Sequence, residues 1–322
     1  MDKRRRRFLA AASALAPLVL AGGCSVPPPL IRVGGILWIG YELLFLAREL
    51  SFFDADAIRL VEMRSNTTNL MSLATGGLEA ATLTLDEYLL AREGGLDVRA
   101  ILVFDDSAGA DVIMSRPGID RLEDLKGKRI GVEETAAGAL MLAKTLEAAK
   151  LAPGDVIKNR ITGDRHLRAY LAGEVDVLVT WEPYATQLQA QGAHRLFDSS
   201  YFPGLIVDVL VARVDALERS PETFRNLLAG YFRALDYLRV FPDEAFRLMA
   251  PRMGVSPDEV RAAQQGIRYM DLAANRSWLD GSSPGLVPAA DKVARIMAAG
   301  GLLRQTAGWE GLTDPRFLPE SI

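Results

Sequence analysis

Asp208 interrupts the apolar run from Ile206 to Ala212. A carboxylate buried in such a run costs several kcal/mol unless something pairs with it, and no basic residue close in sequence supplies the partner. Other residues in the chain suit a small-molecule cleft, in which aromatic walls enclose a ligand and a few polar groups orient it. Trp38 and Trp181 supply flat walls, Tyr41 and Tyr184 lie close to them in sequence, and Thr84, Asp86, Asp111, Thr135 and Glu182 supply polar atoms. Each has a second reading. Trp38 and Trp181 also suit plain packing between elements. Glu182, immediately before Pro183, and Asp86 also suit helix starts, where a carboxylate meets the positive end of the helix dipole. The sign of the set is acidic. A helix after Thr135 would offer the amides of Ala136, Ala137 and Gly138 to an anion, yet Glu133 and Glu134 precede it. An amine or nitrogen heterocycle held between Trp38 and Trp181 fits better, through stacking or cation–π contact worth ~0.5–2 kcal/mol. A zwitterion satisfies both features.

The elements that position these residues follow from hydrophobic periodicity. Strands are expected at Ile31–Leu37, Ile58–Met63, Ala80–Leu85 and Val98–Phe104, separated by helices at Leu43–Leu50, from Asn66 to near Gly76, and after Asp86. Alternating strand and helix implies a mostly parallel sheet covered on both faces, with its ligand crevice at the carboxyl ends of the strands. A second unit repeats the pattern, with strands Arg129–Val132 and Val175–Val179 and a helix Ala137–Lys150; Pro183 opens another helix. After the strand Ile206–Ala212 the chain reads as helical over Glu222–Leu238, Pro242–Met253, Pro257–Met270 and Pro288–Gly300. This block is expected to pack on the first unit, giving one lobe from residues 31–112 and 209–322 and another from 113–208. Two crossing segments, near Asp111–Ser115 and Ile206–Ala212, would form a hinge.

Composition narrows the function. The chain has 322 residues, 49% of them hydrophobic and 24% charged, with a net charge of −4. An acidic balance disfavours nucleic-acid binding. Two histidines and one cysteine leave little for a metal site built from nitrogen and sulfur ligands. His166 and His194 are expected at surfaces or helix ends. No cofactor motif, P-loop or G-x-S-x-G elbow is present, nor any nucleophile and base pair.

The amino terminus adds an address. Lys3 and Arg4–Arg7, the apolar stretch Phe8–Ala21 broken by Pro17, and the small residues Ala21, Gly22 and Gly23 form the three-part layout of an export signal. The stretch is too short to span a membrane stably. Arg5, Arg6, Phe8 and Leu9 also suit the twin-arginine pattern. LAGGC resembles a bacterial lipobox, which would leave Cys24 as a lipidated first residue after cleavage of residues 1–23. Cys24 is the single cysteine, so it has no disulfide partner, and Ser25-Val26-Pro27-Pro28-Pro29 reads as a stiff tether.

The stretches RLEDLKGKRIGVE, LAGEVDVLVTWEPY, DSSYFPGLIVDVLVAR and LATGGLEAATLTLDEYL together resemble substrate-binding proteins of bacterial ABC importers in the nitrate, sulfonate, taurine and thiamine-precursor group. The likeness runs from about Ile31 to Leu318; Ser51 and Ala57 stand where glycines are common in that group. The resemblance implies a two-lobed periplasmic-binding-protein fold of type II, α/β in class. It also implies a small-molecule ligand, an ABC permease and its ATPase as partners, no enzymatic activity and a monomeric, membrane-anchored protein outside the cytoplasm. In taurine-binding members the aspartate matching Asp208 contacts the ligand amine, which implies the same role here.

Overall fold

The computed structural model describes residues 30–322 apart from 134, 282, 283 and 305. The expected export signal, the tether and Cys24 lie outside the described residues.

The chain begins with β1 (Ile31–Gly35), α1 (Glu42–Glu49), β2 (Ile58–Glu62), α2 (Asn66–Ala74), β3 (Ala80–Thr84), α3 (Leu85–Glu93) and β4 (Val98–Ser107). It continues through β5 (Asp111–Ser115), β6 (Arg129–Val132), α4 (Ala136–Ala149), β7 (Ile157–Arg160), α5 (His166–Leu171), β8 (Val177–Trp181), α6 (Tyr184–Gln189) and β9 (His194–Asp198). It ends with β10 (Val207–Arg213), α7 (Val214–Arg219), α8 (Pro221–Val240), α9 (Pro242–Met253), α10 (Pro257–Gln264), β11 (Ile267–Tyr269), α11 (Leu272–Leu279) and α12 (Leu286–Ala299). Prolines open α8, α9 and α10, where a missing N–H costs nothing and the fixed φ suits the first turn.

Two sheets result, one of six strands in the order β11-β4-β10-β3-β1-β2 and one of five in the order β7-β6-β8-β5-β9. Each has one inner strand inserted against its parallel set, and in the first sheet the edge strand β11 also runs antiparallel, to β4. In the first, β10 runs antiparallel between β3 and β4; in the second, β5 runs antiparallel between β8 and β9. The chain passes between the sheets at residues 108–110 and again at 199–206. Asp111–Ser115 and all of Ile206–Ala212 beyond its first residue are therefore strands, and the crossings lie just before them.

Alternation along β10 divides the first core. Leu210 and Ala212 pack with α1 and α8, while Val207, Val209 and Val211 pack with α3 and α12. A strand with apolar residues on both faces reads as continuous in sequence. The helix expected over Pro257–Met270 is shorter than that. It stops at Gln264, and Ile267–Tyr269 pairs with β4. Gly266 explains the break: a Cβ there would lie 2.6 Å from the Ala110 nitrogen, and Ala108 donates to the Gly266 carbonyl at 2.8 Å. This backbone contact against the first crossing leaves no room for a helical side chain.

Ser51 settles the loop before β2. It has φ 55, and Ser51 and Phe52 donate to Arg48 and Ala47 carbonyls at 3.0 and 2.8 Å, the Schellman pattern that usually places glycine at this position.

Candidate functional site

The carboxyl ends of the parallel strands and the amino ends of the two inserted strands meet at one cleft. From the six-stranded side it receives Ile36, Trp38, Tyr41, Asn66, Thr84 and Asp208; from the five-stranded side come Asp111, Glu133, Thr135, Met141, Thr180 and Trp181. Seven of the ten residues singled out from sequence line it: Trp38, Tyr41, Thr84, Asp111, Thr135, Trp181 and Asp208.

Asp208 is the second residue of β10 and is only 2% exposed. Its neighbours across the sheet are Thr84 on β3 and Asp105 on β4. A register shift between Asp208 and Val209 leaves Phe104 as the extra residue of a bulge, a device that re-aims side chains beside functional sites. Tyr41 donates its hydroxyl to Asp208 Oδ1. Burial pushes the Asp208 carboxyl well above the usual range, and the neighbouring Asp105 charge pushes it further. Burial likewise raises Asp105 to about 8 and Asp111 to about 7. Tyr41 is pushed well above its ordinary value by burial and by Asp208, so it stays a donor. Behind it Phe104 and Tyr231 continue an aromatic column, with ring centres 5.1 and 5.3 Å apart in succession.

Trp38 is 4% exposed, and its indole N–H faces Asp105 without closing a hydrogen bond. Gly40 makes this close approach possible, because a Cβ there would lie 2.4 Å from Trp38 Nε1. On the opposite wall, Trp181 donates Nε1–H to the Leu37 carbonyl at 2.9 Å. His166 and Tyr184 support its ring edge-on, at 5.2 and 5.7 Å. His166 is the first residue of α5, as a helix-end position, but it is fully buried rather than at the surface. It shares a 2.9 Å hydrogen bond with Thr180, and burial lowers it to about 4. His194, partly exposed, shares a 2.9 Å hydrogen bond with Ser115.

Three expected residues are placed elsewhere. The Glu182 carboxylate accepts from Thr186 N and Oγ1 at 3.0 and 2.7 Å and from Arg195 at 3.2 Å, which fits its helix-start reading. Tyr184 lies behind Trp181. Asp86 is buried in the first turn of α3, where burial raises it to about 6.

Sequence reasoning missed Glu133, Asn66 and Asp105. Glu133 accepts from Asn66 N–H at 3.2 Å and from Gly163 N–H at 3.1 Å, so it ties the two sides of the cleft, and burial raises it to about 7. The rule that placed the other residues could have found it, since it directly follows β6. Asp105, in VRAILVFDDS, could have been found as Asp208 was, as a carboxylate closing an apolar run. Further hydrogen bonds cross the cleft from Ile39 N to Glu182 O at 3.3 Å and from Gln187 to Met253 O at 2.9 Å; the two sides are closed on each other.

Two features define what the cleft can do. Among the described residues its lining contains no lysine, arginine or histidine. Five buried polar atoms in lining residues have no hydrogen-bond partner: Trp38 Nε1, Asn66 Oδ1, Thr84 Oγ1, Asp111 Oδ2 and Asp208 Oδ2. Buried polar groups are ordinarily paired. Four of these five are acceptors or a hydroxyl, so a donor-rich guest suits them. Thr135 caps α4 by accepting from Gly138 N at 3.0 Å, and no described group of three or more metal-ligating side chains is present.

A two-lobed α/β scaffold with a closed, acidic, aromatic-walled cleft between its sheets is that of a periplasmic-binding-protein-like molecule. The family described as NMT1/THI5 like matches residues 41–245, and the chain belongs to it. A Brucella abortus (strain 2308) protein named as a binding protein is 25% identical, over 77% of this chain and 78% of its own. The taurine-binding periplasmic protein of Escherichia coli K12 is 23% identical, over 67% of this chain and 70% of its own. Solved structures share the fold. The alkanesulfonate-binding protein SsuA of Xanthomonas axonopodis pv. citri, bound to MOPS, aligns with TM-score 0.74 at 18% identity over 90% of this chain and 98% of its own. The ligand-binding component of an ABC-type import system from Staphylococcus aureus, with zinc bound, aligns with TM-score 0.76 at 14% identity over 91% and 99%. One neighbour is an enzyme: the desulfurization enzyme DSZB has TM-score 0.65 and 19% identity over 89% and 97%.

Proposed function

We propose that this protein is the solute-binding component of an ABC importer. It captures a small organic molecule carrying a cationic nitrogen between its two lobes and presents it to a permease driven by an ATPase. Three unpartnered buried acceptors and a hydroxyl, Asn66 Oδ1, Asp111 Oδ2, Asp208 Oδ2 and Thr84 Oγ1, around a cleft with no cation among its described lining residues carry the reading. An ammonium or protonated heterocycle would supply the missing donors and the missing positive charge. Lobe closure then follows from contacts made to both sides at once, by bending at residues 108–110 and 199–206. The periplasmic and import-system names of the relatives and neighbours support an exported protein, and LAGGC supports anchoring through Cys24.

A zwitterion is the second reading, favoured by the start of α4 at the cleft. An ammonium would face Asp208 and Asp111 while an anionic end meets the amides near Gly138, which the taurine-binding relative supports. An anionic sulfonate or nitrate would find that helix end but also three lining carboxyls, Asp111, Glu133 and Asp208. Binding without turnover is proposed, since Cys24 is the single cysteine and no nucleophile and base pair lines the cleft.

A thermal-shift panel of the chain with choline, ethanolamine, an aminopyrimidine, taurine, ethanesulfonate and nitrate tests this. A ligand at a hundred times its dissociation constant adds about 2.7 kcal/mol of stability. Stabilisation by a nitrogen cation or by taurine, with the ligand recovered unchanged, is expected; chemical conversion of a bound probe would replace the reading with an enzymatic one.

A further inference from the structure

Asp105 does not line the cleft, yet it faces the residue that matters most there. Asp105 and Asp208 are directly opposed on adjacent strands, so their side chains share one face of the sheet, at 0% and 2% exposure. Tyr41 satisfies one oxygen of Asp208; both oxygens of Asp105 and the second of Asp208 have no closed hydrogen bond, although the Trp38 indole N–H faces Asp105 and pulls it downward. Two facing carboxylates are both acceptors. They can bond to each other only through a proton.

We propose that Asp105 and Asp208 act as one acid pair that holds a single shared proton in the ligand-free protein, and that a cationic group entering the cleft expels that proton to solvent. Asp105 is thereby a specificity-determining residue: it makes the site a proton-for-cation exchanger that no anion or neutral guest can trigger. The inference rests on the reading of the cleft as a cation site.

The surroundings support the pair. The turn Ile39–Tyr41 brings the Tyr41 hydroxyl, β3 brings Thr84, and α3 brings Asp86 and Glu87. β5 brings Asp111, and Asp106, next to Asp105 on β4, is already engaged by Arg268 and by the Gly204 N–H at 2.9 Å. From α8 and β11 come the phenols of Tyr231 and Tyr269, whose hydroxyls donate to the Phe104 and Ile39 carbonyls at 3.3 and 3.0 Å. The strongest charges acting on either member are other carboxyls, which favour a retained proton as burial does. When the proton leaves, the balance is simple: one O–H bond of the pair breaks, the proton passes to the buffer, and the incoming cation takes over its charge.

Infrared difference spectra of the ligand-free chain at pH 7 test the first half. Asp105→Asn keeps the volume and supplies an amide donor to Asp208, so it should lose the carbonyl intensity of one protonated carboxyl relative to the parent; Asp208→Asn should lose the same. Unchanged intensity in both variants overturns the pair, whatever binds. Calorimetry with choline, ethanolamine and taurine, in phosphate and in Tris at pH 7, tests the exchange. For a probe that binds, the difference in heat should report release of about one proton by the parent and none by Asp105→Asn. Equal heats in the two buffers for the parent overturn the exchange. If none of the three probes binds, the cation reading fails and the exchange falls with it, while the infrared result still decides the pair.

Discussion

Replacing Asp208 with Asn should move stability and ligand affinity in opposite directions. The volume is unchanged, the amide oxygen can still accept from Tyr41, and the amide nitrogen can donate to the facing Asp105 carboxylate, whose oxygens close no hydrogen bond. The ligand-free variant therefore loses a buried like-charge conflict and gains a hydrogen bond, a gain of ~1–3 kcal/mol at a pH above the titration range of the pair. A cationic ligand loses its charged partner at a site 2% exposed. Breaking one side of a buried charge pair costs ~2–5 kcal/mol, roughly 30-fold to several-thousand-fold in dissociation constant. Urea denaturation of the ligand-free variant and calorimetric titration with an amine probe measure the two quantities. A purely structural Asp208 would give a less stable protein with affinity within twofold of the parent, and that pair of results would refute the reasoning.

Gly163→Ala should disable the Trp181 wall: its Cβ would lie 2.5 Å from Trp181 Cζ2, so the indole must move off the Leu37 carbonyl, and affinity should fall at least about tenfold at an overpacking cost of ~1–3 kcal/mol. Calorimetry reads the affinity and denaturation the cost; unchanged affinity would show that Trp181 is not a ligand wall. Ser51→Gly should stabilise the chain by ~0.5–1 kcal/mol, because Ser51 holds a left-handed φ of 55 at a helix end; a lower denaturation midpoint would count against it. Stability should fall as pH rises from about 5 to 8. Glu42, Asp111 and Glu133 are raised by burial to about 7 and Asp105 to about 8, so the native state keeps protons that the unfolded chain releases, with up to ~1.4 kcal/mol per group per pH unit at stake. His166, lowered by burial to about 4 from 6.5, acts oppositely, and its contribution is lost as pH falls through that interval. Thermal midpoints should therefore decline between about pH 5 and 8 and level off above that; a midpoint that climbs across this interval would contradict the burial of these groups.

Much of this was legible in the sequence because the chain is locally consistent. Apolar runs such as Ala80–Thr84 and Val207–Arg213 have the length and flanks of buried strands, and the prolines at 221, 242 and 257 mark helix starts. The cleft followed from one topological rule, that ligand crevices lie at the carboxyl ends of parallel strands. What escaped depended on tertiary contacts. The short strands β7, with its sequence IKNR, and β11, with IRY, have no periodicity that separates them from loop or helix. Glu182 could not be assigned between cleft and helix cap until Arg195 and Thr186 appeared around it. Asp105 stands at the end of β4 as Asp208 stands at the start of β10, and only the register across the sheet shows that they face each other.

The charge of the guest is the central claim, and a matched pair of ligands tests it most directly. Ethanolamine and ethanesulfonate share a two-carbon frame and differ in the sign of their charge, and taurine joins both ends in one molecule. Calorimetric titration of the chain with all three at pH 7 compares the signs within one cleft. The acidic lining and its unpartnered acceptors predict heat of binding from ethanolamine or taurine and none from ethanesulfonate. Saturable binding of ethanesulfonate, with ethanolamine and taurine inert, would contradict the account.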